Sequence, residues 1–279
     1  MLMSNRTTQN PRFFQWTAAF LVGCVLTACD MLESHPYDTR VTGETHINAK
    51  NCARIEAALK GRTSFRFAFL TDTQRWYDAT VDAVDDIRRR NDIDFVLHGG
   101  DQSDFGVTKE FLWMRDILNR LDVPYVCVIG NHDCLGTGKD VFRTVYGDTN
   151  FGFTAGDMRL ICLNTVALEY DYSEPIPDFD FLVKEQQRMR QDSLKRCVFL
   201  MHAAPKSDVF NNNVATVFQH YLYDFPGVQF CLHGHTHALS VTDIFGDGTL
   251  YYQCPNIDKR KYLVFTIHEE GYDYEVVEF

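Results

Sequence analysis

Apolar runs and short polar clusters alternate along this chain, and the clusters stand where the runs stop. Phe67-Ala68-Phe69-Leu70 precedes Asp72-Thr73-Gln74, Phe95-Val96-Leu97 precedes Gly100-Asp101-Gln102-Ser103-Asp104, and Tyr125 to Ile129 precedes Gly130-Asn131-His132-Asp133. Cys197 to Leu200 leads into Met201-His202, and Val228 to Leu232 into Gly234-His235-Thr236-His237. Short apolar runs bounded in this way predict buried strands. Between them lie helical spacings. Val81, Val84 and Ile87 predict a helix closing at Arg88-Arg89-Arg90. Phe111 to Leu121 predicts another, with Leu112, Ile117 and Leu121 inward.

The first half thus reads β-α-β-α-β, which argues for parallel strands joined by helical crossovers. The second half repeats the rhythm less regularly, with strands at 159–163, 197–201 and 228–232 and helices near 181–191 and 217–222. After His237 the pattern becomes all strand: 240–245, 250–253, 262–267 and 272–277, with Gly246-Asp247-Gly248 as a turn. The predicted fold is α/β: two packed mixed β-sheets flanked by helices, a four-layer α/β/β/α sandwich. In such sheets the carboxyl ends of strands are where a ligand crevice forms. All five polar clusters belong there.

Composition narrows the setting. The chain has 279 residues and a formal charge of −11, which disfavours a general grip on nucleic acid or anionic lipid. An anionic substrate stays open, because bound divalent cations reverse the local field. Arg6 and Arg12 flank an apolar stretch, Ala18 to Ala28, too short to span a bilayer. It ends in Leu26-Thr27-Ala28-Cys29, which resembles the cleavage box of bacterial lipoproteins. The expectation is a signal peptide over 1–28, a lipidated Cys29 with a tether to residue 60 that leads into a short helix, a folded domain over 61–279, and an exported protein anchored to a membrane at the periplasm or cell surface. Cleavage leaves a mature charge of −13. Seven cysteines would remain. Cys127, Cys162, Cys197 and Cys231 sit inside apolar runs as small hydrophobes, and no CxxC pair predicts a structural zinc site.

The clusters supply hard oxygens and imidazoles from separate strand ends: Asp72, Asp101, Asn131, His202, His235 and His237. Two divalent ions acting together on a phosphate ester need that mixture. His235 and His237, two apart, would share a face of an extended segment, with Gly234 giving the backbone its freedom. The series resembles the calcineurin-like metallophosphoesterase family, whose motifs are Asp-x-His, Gly-Asp-x-x-Asp, Gly-Asn-His-Asp/Glu, an isolated His and Gly-His-x-His. The likeness runs in family order from Phe65 to Phe279.

That resemblance implies hydrolysis of a small phosphorylated substrate, mono- or diester, by a hydroxide bridging two divalent ions (Mn, Fe, Mg or Zn). Asp101 would bridge them, Asp72 and His237 would complete one site, and Asn131, His202 and His235 the other. His132 would protonate the leaving oxygen, oriented by Asp104. Gln74 departs from the pattern, where the family more often has His. A carboxamide oxygen is a weaker ligand, so the Asp72 site is expected to be the looser one, with Gln74 either ligating or holding a bound water. A non-catalytic surface lipoprotein using the fold as a binding module is the competing expectation.

Other polar residues carry weaker expectations. His98 and His233 read as hydrogen-bonded strand-end residues. Gly136-Thr137-Gly138-Lys139 reads as a turn. Arg75 and Trp76 directly follow the first cluster and could contact substrate, though packing or solvent exposure is the favoured reading. Tyr170-Asp171-Tyr172 and Asn211-Asn212-Asn213 are loop segments near the pocket.

Overall fold

The computed structural model describes residue 35 and residues 37–279. The expected signal peptide and Cys29 lie outside the described residues. Two compact units divide the chain, Met1–Asp38 and Thr39–Phe279. Of the first, only a turn is described, in which Asp38 N donates to His35 O (3.0 Å).

The second unit carries two sheets. In the first, β1 (Phe65–Leu70), β2 (Phe95–His98) and β3 (Tyr125–Cys127) run parallel, and β10 (Lys261–His268) and β11 (Gly271–Glu278) extend the sheet antiparallel beyond β1. In the second, the order is β4 (Phe151–Ala155), β5 (Met158–Leu163), β6 (Arg196–Met201), β7 (Val228–His233), β9 (Leu250–Gln253) and β8 (Ser240–Asp243). Strands β5, β6, β7 and β9 are mutually parallel, with antiparallel strands at the two edges. Both sheets are mixed, as the pattern predicted.

Alternation along each strand builds the layers. Phe67, Phe69, Phe95 and Leu97 face Leu160, Leu200, Phe230 and Leu232 in the core between the sheets. Their neighbours Ala68, Leu70 and Val96 meet α2 (Tyr77–Arg90), α3 (Thr108–Leu118) and α4 (Gly138–Val145) on the outer face of the first sheet. Ile161, Phe199 and Met201 meet α5 (Phe179–Gln191) and α6 (Ala215–Tyr223) on the outer face of the second. Phe67 stacks on Phe95 (5.2 Å) and Phe265 (5.3 Å), and Phe265 on Phe230 (4.6 Å). Each such ring pair adds about 0.5–1.5 kcal/mol to plain burial.

Helix α1 (Ile47–Leu59) lies inside this unit, so the folded part begins well before residue 61, the boundary expected from the sequence. Ile47, Ile55 and Leu59 enter the cores, and two asparagines cover the open edge of β3. Asn48 exchanges two bonds with the Cys127 backbone (2.8 and 2.9 Å), and Asn51 donates to Tyr125 O (2.8 Å). Side-chain amides here stand in for a neighbouring strand. Three further differences appear. The buried face of α3 is Phe111, Met114 and Leu118 rather than Leu112, Ile117 and Leu121. Gly138 and Lys139 open α4 instead of forming a turn, and β4 was not anticipated. The cysteines at 127, 162, 197 and 231 are free and buried. Among the described residues no helix is long and apolar enough to cross a membrane.

Candidate metal centre

All five polar clusters meet at one place, because β1, β2, β6 and β7 end on the same side of the two sheets and their exit loops are laced together. Gly99 N donates to Leu70 O (2.9 Å), Asp72 N to Gly100 O (3.0 Å), Gln74 N to Asp101 O (3.0 Å) and Gly234 N to His202 O (2.9 Å). Two glycines let the carboxylates press against the backbone. A Cβ on Gly130 would lie 2.1 Å from Asp101 Oδ1, and one on Gly234 would lie 2.4 Å from Asp72 Oδ2. Gly234 therefore serves by occupying no space rather than by unusual backbone freedom.

The freedom is needed next door. His235 (φ 75°) and His237 (φ 58°) both adopt the left-handed region, as do Asp72 (52°), Arg75 (58°) and Asp101 (59°). The two histidines thus converge through a curled loop, not through the extended segment the spacing suggested. Such conformations cost of order 1–3 kcal/mol each and persist where the surroundings over-determine them.

Each carboxylate has one oxygen tied and one aimed inward. Asp72 Oδ2 accepts from Thr71 Oγ1 (2.7 Å) and His235 N (3.1 Å), leaving Oδ1 3.3 Å from His237 Nε2. Asp101 Oδ1 accepts from His132 N (2.9 Å), leaving Oδ2 3.4 Å from His202 Nε2 and 3.5 Å from Gln74 Nε2. Asp72, Asp101 and His202, all buried, have ligand atoms within 4.8 Å of one another. Burial resists the Asp72 charge, yet the neighbouring His237 ring and the His202 charge hold its carboxyl below the ordinary value. Burial resists the His202 charge too, but Asp101 and Asp72 push that imidazole up to about 10. Its Nδ1 donates to Gly99 O (2.8 Å) and Nε2 to Asn131 Oδ1 (2.9 Å), so both ring nitrogens face oxygens.

Asn131 Oδ1 also meets His235 Nδ1 (2.9 Å), and His235 Nε2 faces the Asp208 carboxylate (2.6 Å). Asp208 has no motif around it and was missed from the sequence. The bond to His235 draws its carboxyl below the ordinary value. Asp133, the last residue of its cluster, is a second find. It accepts from the backbone N–H groups of Asp101, Ser103 and Gly130 (2.8–2.9 Å) and so pins two loops together. Burial and the Asp101 charge push its carboxyl up to about 7, against those three bonds.

His132 donates from Nδ1 to the main-chain oxygen of Asp104 (2.8 Å), while the Asp104 carboxylate stands 3.6 Å away and pairs with Arg75. Asp104 thus holds the ring through its main-chain oxygen, with its carboxylate close by. Arg75 is half exposed, as expected, and meets the site through that pair. His98 Nδ1 accepts from Gly100 N (3.2 Å) and Gln102 Nε2 (3.0 Å), so Nε2 carries the proton and donates to Thr73 Oγ1 (2.8 Å). Burial pushes its pKa down to about 3, keeping the ring neutral. Lys139 is spent on Glu169 O (2.8 Å) and the Tyr170 ring (3.6 Å). His233 bonds at its strand end to Gly234 O (3.2 Å), as expected.

The donor set suits divalent cations. Asp72 Oδ1 and Gln74 Oε1 are buried without a hydrogen-bond partner, so the site holds oxygen lone pairs that nothing in the chain satisfies. Carboxylate, carboxamide and imidazole donors together match Mn, Fe, Mg or Zn.

Comparison with known proteins agrees. A family model described as calcineurin-like phosphoesterase matches residues 65–239. The fold is similar to a dimetal phosphatase from Danio rerio, with TM-score 0.61 and 13% identity over 77% of this chain and 99% of that one. It is also similar to GAP50, the anchor in the inner membrane complex of Plasmodium (TM-score 0.56, 12% identity, 78% of this chain and 85% of that one). A third likeness is to purple acid phosphatase PPD1 from yellow lupin (TM-score 0.57, 13% identity, 78% of this chain and 55% of that one). No curated protein matches the chain in sequence. With its motifs, its two mixed sheets and a family match over most of its folded part, the chain belongs to the calcineurin-like phosphoesterases.

Proposed function

We propose that the protein is an exported, metal-dependent hydrolase of phosphate esters. The observation that carries this reading is the convergence of Asp72, Asp101 and His202 within 4.8 Å, beside buried oxygens that lack partners. Asp101 would be shared by two cations, with Asp72, Gln74 and His237 on one side and Asn131, His202 and His235 on the other. When bound, the cations supply Lewis-acid stabilisation of charge on the phosphoryl oxygens. The chain's own residues do the rest. His132, held at Nδ1 by Asp104, presents Nε2 to deliver a proton to the departing oxygen. Asp133 keeps the Asp101 and Asn131 loops in register, and Asp208 orients His235.

The test is hydrolysis of p-nitrophenyl phosphate and bis(p-nitrophenyl) phosphate by signal-free protein with Mn²⁺. His132→Ala should lower kcat by roughly 10²–10⁴ with metal content unchanged. Unchanged turnover would remove His132 from the chemistry. The competing reading, a non-catalytic surface module, draws on Gln74 and on GAP50, a protein of this fold described as an anchor. The oriented ring of His132 favours the enzyme, since binding alone needs no proton donor. Anchoring rests on the sequence before residue 30: Cys29→Ser should move the protein from the membrane to the soluble fraction, and continued membrane association would exclude lipid at Cys29.

A further inference from the structure

Beside His235 the structure opens a cavity of about 340 Å³, within the range of small-ligand pockets. Its walls come from the loop after β6 (Ala204 to Ser207), the turn after β7 (His233 to Thr236) and the edge strand β8 with the residue that follows it. Asp101, Asn131 and His132 do not line it. His132 is tied instead to Asp104, so the proton donor lies outside the cavity.

The cavity is braced rather than incidental. Lys206 takes a left-handed backbone (φ 73°), reaches across to Ile244 O with its ammonium (2.6 Å) and lies 4.8 Å from the Phe245 ring. Asn212 accepts from Lys206 N (2.8 Å) and donates to Ser207 O (2.7 Å), fixing the loop from behind. Asn212 thus acts by holding the wall, whereas the sequence placed it only near a pocket. The charges on the walls are already engaged. The Asp243 carboxylate accepts from the backbone N–H groups of Gly246, Asp247 and Gly248 (2.7–3.1 Å), and the Lys206 ammonium is committed to Ile244. The Gln253 amide, also on the wall, bonds the hydroxyls of Ser240 (3.1 Å) and Thr236, while Thr242 faces the cavity and Ser207 Oγ has no partner. A wall of hydroxyls and a carboxamide suits a hydroxyl-bearing group.

We infer that this cavity receives the retained substituent of a phosphodiester, an uncharged polyol or sugar-like group, while the leaving alcohol faces His132. The inference rests on the phosphoesterase reading and narrows its substrate class. A phosphorus atom carrying one organic group beside His132 and another in the cavity must be a diester, because a monoester has only one. Hydrolysis joins the oxygen of water to phosphorus and breaks the bond to the alcohol on the His132 side. The departing oxygen takes a proton, and a phosphomonoester remains with its substituent in the cavity.

Thr242, on an exposed edge strand, can be enlarged without disturbing the core. In the Mn²⁺-loaded protein, Thr242→Trp should lower kcat/KM for bis(p-nitrophenyl) phosphate about tenfold more than for p-nitrophenyl phosphate. Val241→Trp, exposed and outside the lining, should leave both values unchanged. Equal effects of Thr242→Trp on both esters, or none on either, would overturn the inference. Binding gives an independent reading. In chelator-treated protein, bis(p-nitrophenyl) phosphate should raise the melting temperature of wild type more than of Thr242→Trp, and equal shifts would count against the cavity. Should wild type hydrolyse neither ester, the phosphoesterase reading fails, and the melting comparison still decides the cavity.

Discussion

The two halves of the candidate metal centre are built to different standards. On one side, Asn131, His202 and His235 form a closed chain of hydrogen bonds, backed by Gly99 O and the Asp208 carboxylate. On the other, Asp72 Oδ1 and Gln74 Oε1 have no hydrogen-bond partner, and the His237 side chain is 42% exposed. A site whose donors are already oriented loses little freedom when a cation arrives. A site of unpartnered oxygens and a half-exposed ring must be ordered by the cation itself. The difference teaches that a dinuclear centre can be symmetric in its list of ligands and lopsided in its preparation.

The strongest way to break the comparison is to remove what the two halves share. Asp101→Ala takes away the carboxylate facing both His202 and Gln74, and kcat should fall by roughly 10²–10³. Binding at both halves should weaken together, measured by elemental analysis after dialysis. Loss confined to one half would show that Asp101 is not shared.

His98 sharpens the comparison by joining the halves, through Thr73 on one and Gly100 on the other. Its folded pKa of about 3 lies below the ordinary 6.5, so the unfolded chain binds the extra proton. The stability it contributes is fully present above pH 6.5 and is lost as pH falls toward 3, on the order of 4 kcal/mol in all. Chemical denaturation across that window should show a shallower acid loss for His98→Gln than for wild type. Identical slopes would mean that His98 is not buried neutral.

A smaller effect isolates the prepared half. Asp208→Asn removes the charge behind His235 and should weaken that cation roughly 10- to 100-fold, leaving the Asp72 half unchanged. Equal weakening of both halves would erase the distinction drawn here.

Much of this was legible in the sequence, and for identifiable reasons. Parallel strands buried on both faces read as continuous apolar runs, so β1, β2, β6 and β7 could be located with the clusters that follow them. The ligand-type residues were legible because each lies within a few residues of a strand end. What escaped was either masked locally or made over long separations. In β4, Gly152 interrupts the strand signal, yet a Cβ there would lie 2.7 Å from Arg159 Nη2, beneath the buried Arg159–Glu185 pair (2.7 Å). Gly138 opens α4 while resembling a turn residue. The docking of the short helix α1 escaped because Asn48 and Asn51, which look like surface residues, cap a strand edge. Asp208 with His235 and Arg75 with Asp104 are pairs 27 and 29 residues apart, with no periodicity to announce them.

The measurement that bears most directly on the lopsided centre is a calorimetric titration of the metal-free protein with Mn²⁺, beside the same titration of Gln74→His and His237→Ala. Two steps of unequal affinity should appear. Gln74→His should strengthen only the weaker step, His237→Ala should abolish it, and the tighter step should survive both. A single step of one equivalent, or two steps that both respond to these substitutions, would contradict the account.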